Sequence, residues 1–257
     1  MFALQVSITP TAVNQLKADL TRALPAVKSS HRVEALARGM GFSTYASMLA
    51  AADLPRTLGE ADGASFTRYL GSRGFNVEAP PFYRMVARTA IRSVLSAVPV
   101  LTAAGIGIRP PRRNADAKWE TSHDRNARFL EWQKELQESE EQFLLALAFV
   151  SQIRKIKTVA NGRGSYRLKH IAENYACTYP TGEELGPRYV SNGALIAASV
   201  HAGFNFKKYV DELGYDNLNV TFNMSKKSTD ELDRIIRPNG AFAQDMRRLR
   251  GMRGFGV

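Results

Sequence analysis

Apolar residues recur at helical spacing through the first part of the chain. Val13, Leu16, Leu20 and Leu24 fall three and four apart. That stripe predicts a helix over 10–24, with Thr9 as N-cap and Pro10 in the first turn. Residues 2–8 read as a short strand. Two more helices are expected over 31–39 and 44–52, joined by a turn at Gly39 to Phe42 and started by Ser43 as N-cap. Residues 53–63 read as a loop. A short helix over 65–72 ends at Gly74, and the Pro80–Pro81 pair opens another that reaches about residue 98.

The pattern then changes. Residues 99–121 carry Gly105, Gly107, Pro110 and Pro111 among Arg109, Arg112, Arg113 and Lys118. They read as a basic, solvated linker. From 122 to about 157, Phe129, Trp132, Leu136, Ser139, Phe143, Ala146, Val150 and Ile153 alternate by three and four. This is the a/d seam of a long helix, about 36 residues and roughly 54 Å. Such a helix normally packs on a partner helix or on a second copy, so homo-oligomerisation through the seam from Phe129 to Ile153 is expected, with packing inside the chain as the alternative. A helix over 166–179, a loop over 180–187 and a helix over 193–202 follow. Two strand-like runs, 205–210 and 218–224, suggest a hairpin around Gly214. A last short helix covers 228–236. The fold class is mainly α with a small C-terminal β element. The expected organisation is a helical domain over 1–98, the linker, the long helix over 122–160, a small α+β domain over 161–240 and a basic tail over 241–257.

Charge adds a lean that the pattern lacks. The 257 residues hold 35 Lys and Arg against 24 Asp and Glu, for a net charge of +11. A polyanion is the natural partner, nucleic acid (DNA first) ahead of an anionic membrane surface. One cysteine, Cys177, excludes an internal disulfide framework and a Cys-rich zinc site. No apolar run approaches the roughly 18–20 residues that cross a bilayer. The first ten residues lack the basic start of a secretory leader, so a cytoplasmic protein is expected.

The positive charge clusters. Residues 151–172 contain Arg154, Lys155, Lys157, Arg163, Arg167 and Lys169 with no carboxylate. Gly162 and Gly164 flank Arg163 just before a helix, where backbone N–H groups can approach an anion. Ser165 reads as that helix's N-cap, and Tyr166 offers a face for stacking on a base. Arg112 and Arg113 of the linker and Arg247, Arg248 and Arg250 of the tail complete the expected set of nucleic-acid contacts. The set suits the phosphate backbone more than base edges. No Walker A ending follows the glycines.

Other constellations carry less. Residues 31–52 have helix–turn–helix spacing, but their second helix offers no Arg, Lys, Asn or Gln to read bases, and a small packing module is the plainer reading. The stretch from Ser30 to Ala50 resembles a short helical module described as glyoxalase-related in proteobacterial proteins. The metal-binding residues of glyoxalases are not visible, so the activity does not carry over. Residues 165–173 and 189–204 resemble uncharacterised proteins of proteobacterial plasmids and prophages, which implies a mobile-element context and no chemistry. His170 and Glu173 share a helix face without a second ligand pair, and Cys177 with His170 has the spacing of one helix face. No catalytic residue, metal or cofactor is expected. The expectation is a non-enzymatic nucleic-acid-binding accessory protein of a mobile element. The alternative is a protein–protein module, an inhibitor or assembly component, using the long helix.

Overall fold

A computed structural model describes residues 2–113, 118–159, 164–212 and 214–240. The N-terminal helices form where the pattern puts them. Helix α1 (Pro10–Ala23) is capped by the Thr9 hydroxyl, which accepts from the Ala12 N–H at 3.2 Å. Helix α2 (Ser29–Gly39) packs on α3 (Tyr45–Ala52) and on α4 (Gly63–Gly71). The cap of α3 is Thr44 and not Ser43: Thr44 and Ser47 bond each other's backbone N–H in a capping box. Helix α5 (Pro80–Ala97) runs as expected. Residues 53–63 are not all loop, because β2 (Leu58–Glu60) pairs antiparallel with β1 (Gln5–Ser7).

The expected linker is partly core. Leu101, Thr102 and Ile106 are fully buried in a tight hairpin, β3 (Leu101–Thr102) with β4 (Gly105–Ile106). The Ala103 N–H donates to Trp132 O at 2.9 Å, and the Ile106 N–H to Leu218 O at 3.0 Å. Glycine is required at 105, where φ is +131° and Leu218 backbone lies against the place a Cβ would occupy.

The long helix is two helices, α6 (Ser122–Gln137) and α7 (Glu140–Val150), broken at Glu138 and Ser139. The seam spacing misleads here because residues 143–150 are apolar at every position, so any period fits them. A helix apolar all round belongs in a core, and every residue from Phe143 to Val150 is buried. α5, α7 and α9 (Asn192–His201) pack on one another, and α8 (Ser165–Ala172) packs on α9 and α7. Leu136, Phe143, Ala146, Val150 and Ile153 are therefore consumed inside the chain, in one apolar cluster that extends from Phe2 to Met224.

The expected helix over 166–179 stops at Ala172. Beyond it β5 (Cys177–Thr178) pairs with β6 (Glu184–Gly186), so β structure is not confined to the C-terminal part. There, β7 (Phe206–Lys207) pairs with β8 (Thr221–Phe222), and α10 (Lys226–Ile236) is capped by Ser225. Among the described residues no helix is long and apolar enough to cross a membrane.

Candidate nucleic-acid interface

Helix α8 is held in place by its first residue. Ser165 is fully buried, its N–H donates to Val220 O at 2.8 Å, and its hydroxyl accepts from the Val220 N–H at 3.2 Å. It is a pin between α8 and the 218–224 segment rather than an N-cap or a surface contact. With α8 so fixed, Leu168, Ile171 and Ala172 face α9 and Tyr166 faces solvent.

Lys169 then lies between two tyrosines. Its ammonium is 5.7 Å from the Tyr166 ring centre and 4.8 Å from that of Tyr189. It donates to Glu173 at 2.9 Å and to Val190 O at 3.3 Å. Burial alone would raise the Glu173 carboxyl, but Lys169 and His170 outweigh it and hold the group below the usual carboxylate range. His170 Nδ1 lies 2.7 Å from the same carboxylate. The His170–Glu173 pair is thus an internal contact, and among the described residues no group of three or more His, Cys, Asp or Glu could hold a metal ion.

Tyr166, Lys169 and Tyr189 line a cleft of about 560 Å³. The segment after the hairpin lines it too, with Arg109, Pro110 and Arg112. Arg128, Trp132 and Asn192 also line it. Arg128 is buried, sits 5.0 Å from the Trp132 ring centre and grips Glu120 with two hydrogen bonds of 2.7 and 2.5 Å. That pairing is what chiefly lowers the Glu120 carboxyl. Arg109 and Arg112 are exposed; neither closes an ion pair among the described residues, but Arg112 is near enough to Glu120 to help lower its carboxyl. At the start of α9, Asn192 is only 7% exposed. Its Nδ2 faces Ala104 O, Leu218 O and the Asn219 Oδ1 at 3.0–3.3 Å, and its own Oδ1 has no hydrogen-bond partner.

The cleft joins two stretches that the sequence presents separately, bringing Arg112 to Tyr166 and Lys169. It does not gather the rest of the expected set. Arg167 turns away to α10, where it meets Asp230 at 3.1 Å and Asp233 at 2.8 Å. Arg113 lies over the Trp119 ring at 5.1 Å, beside a neighbouring hollow. Arg154 and Lys157 are exposed on the strand-like stretch that bridges to Met224. Lys155 donates to Gly203 O and borders a different cavity, of about 890 Å³, with His201 and Arg92. Arg163, Arg247, Arg248 and Arg250 lie outside the described residues. The six-cation segment is therefore not one continuous basic face: acids on α8 and α10 answer Lys169 and Arg167.

Elsewhere too, the positive excess is partly internal. Asp19, 4% exposed, is met by Arg22, by Arg88 at 3.5 Å and by Arg92 at 3.1 Å, and Arg88 also bonds Glu140. Sequence reasoning missed Tyr189, Trp132, Arg128 and Asn192. Trp132 was absorbed into the seam, and nothing local distinguishes the other three. Comparison with known protein families, curated proteins and solved structures finds no match for this chain.

Proposed function

We propose that this chain is a non-enzymatic nucleic-acid-binding protein, an accessory of a mobile genetic element. The observation that supports it is the cleft itself: exposed Arg109 and Arg112, neither closing an ion pair among the described residues, and exposed aromatic rings beside an anchored lysine. Arg109 and Arg112 supply charge for phosphates, and the rings supply faces for bases. The shift from the expected set is in the residues that carry binding. Arg109 and Arg112 lead, while Arg167 is committed to α10. Docking through the seam of Phe129 to Ile153 finds no support, since most of that seam is buried within the chain.

The test is a titration of labelled DNA and RNA at several salt concentrations. The affinity is expected to fall steeply with salt, by about 0.9 log units per log unit of salt for each duplex phosphate neutralised, or about 0.7 for single strands. Arg109→Glu with Arg112→Glu is expected to weaken binding to all sequences alike and to make the slope shallower by about 1.5 to 2. A wild-type protein that retains no nucleic acid at about 50 mM salt would refute the proposal.

A further inference from the structure

We infer that the cleft takes an unpaired strand, DNA or RNA, with a base inserted against Tyr166 and Tyr189 while the flanking phosphates meet Arg109 and Arg112. This rests on the nucleic-acid reading above and narrows it.

Four observations carry it. First, Tyr166 and Tyr189 are 57% and 62% exposed, so each keeps aromatic surface in water beside its Lys169 contact and, for Tyr166, its His170 contact. Burying such faces is favourable, and a base offers a flat partner of the same kind. Second, the rings are not loose. Lys169 lies between them and is itself fixed by Glu173 and Val190 O, so the platform exists before a ligand arrives and little ordering is needed. Third, the cleft is concave and small, about 560 Å³, with Trp132 and Asn192 among its lining residues. It has room for a base or two but not for a duplex, whose base faces are hidden in the stack. Fourth, Asn192 is nine-tenths buried, lines this cleft, and keeps an acceptor, Oδ1, with no hydrogen-bond partner among the described residues. An unmatched buried acceptor is costly. Oδ1 itself has almost no exposed surface, so an N–H group of an inserted base satisfies it only once the Asn192 amide turns toward the cleft. Phosphate contacts alone would leave the two tyrosines and Asn192 unused.

The experiment measures fluorescence anisotropy of end-labelled oligo(dT), oligo(U) and a mixed-sequence duplex. The proteins are the wild type, Tyr166→Ala with Tyr189→Ala, and Tyr166→Phe with Tyr189→Phe. The wild type is expected to bind single strands at least tenfold more tightly than duplex. The alanine pair is expected to lose about 5- to 150-fold on single strands per stacked base and less than twofold on duplex. The phenylalanine pair, which keeps both ring faces, is expected to stay within threefold of wild type. The oligo(dT) and oligo(U) arms decide whether the strand is DNA, RNA or either. Quenching of tryptophan fluorescence in the wild type, on adding oligo(dT) but not duplex, is a second reading that needs no variant, because Trp132 lines the cleft. Equal binding of single strands and duplex, with no loss in the alanine pair, overturns this inference and leaves the broader proposal standing. Binding of neither overturns both.

Discussion

Gly193→Ala sets helix propensity against tertiary packing, and the two forecasts have opposite signs. Gly193 is the second residue of α9. Replacing a helical glycine by alanine should stabilise by at most about 1 kcal/mol. In the folded chain, however, a Cβ at 193 would lie 2.8 Å from the Thr102 carbonyl carbon and 2.9 Å from the Ala103 Cα, and closer still to the Thr102 oxygen. Ordinary contact begins near 3.4 Å. All three obstacles are backbone of the β3–β4 hairpin, which is itself bonded to Trp132 O, Gly193 N–H and Leu218 O. None can swing aside as a long side chain would. Overpacking a buried site costs about 1–3 kcal/mol, and the upper end applies where the obstacle is fixed backbone. The net expectation is destabilisation by about 2 kcal/mol, a fall of about 4–8 °C in melting temperature for a chain of this size. Thermal and urea unfolding followed by circular dichroism measure it. Gly71→Ala is the control. It lies at the end of α4 with nothing within 4 Å of the added carbon, and should be neutral or slightly stabilising. A Gly193→Ala protein as stable as the wild type would refute the packing of the hairpin on the start of α9.

Arg167→Glu is expected to destabilise the fold by about 1–2 kcal/mol, discounted for partial exposure, because it puts a third carboxylate beside Asp230 and Asp233. A loss of nucleic-acid affinity with unchanged melting would contradict that assignment. Burial pushes the His201 imidazole below its ordinary value of 6.5, so the unfolded chain takes up a proton that the folded chain refuses. This stability is full above pH 6.5 and declines as pH falls below it; His201→Gln should flatten the decline, read by urea titrations at pH 7.5 and 5.5. Burial also raises the Cys177 thiol to about 11. Iodoacetamide should modify it slowly in the native protein at pH 8 and rapidly in urea, and equal rates would contradict the placement.

Local signals were enough for most of the helices. Thr9–Pro10, Pro80–Pro81 and Ser191 carry their own start signals, and α1, α5 and α9 begin at or next to them. Such signals need only neighbours a few residues away. The break between α6 and α7 was not legible in the same way, because residues 143–150 are apolar throughout and their direction is set by what they bury against. The four two-stranded pairs among the described residues were mostly hidden for a related reason. Each strand is two or three residues long, too short to show a period of two, and β1 finds β2 more than fifty residues away.

The candidate site divides along the same line. That positive charge concentrates in 151–172 and 109–113 is a property of the sequence. Which charges remain for a ligand is partly a property of the fold: the Glu173 that answers Lys169 lies four residues on in the chain, but Arg167 meets Asp230 and Asp233 only when α10 packs beside it. The cleft exists only because the hairpin at 101–106, the turn of α6 carrying Arg128 and Trp132, Tyr189 and the pinned start of α8 converge. Composition determined that this protein carries a large positive excess. Long-range packing, which no short window of sequence encodes, decided that Arg109 and Arg112 line the same cleft as the solvent-facing tyrosines.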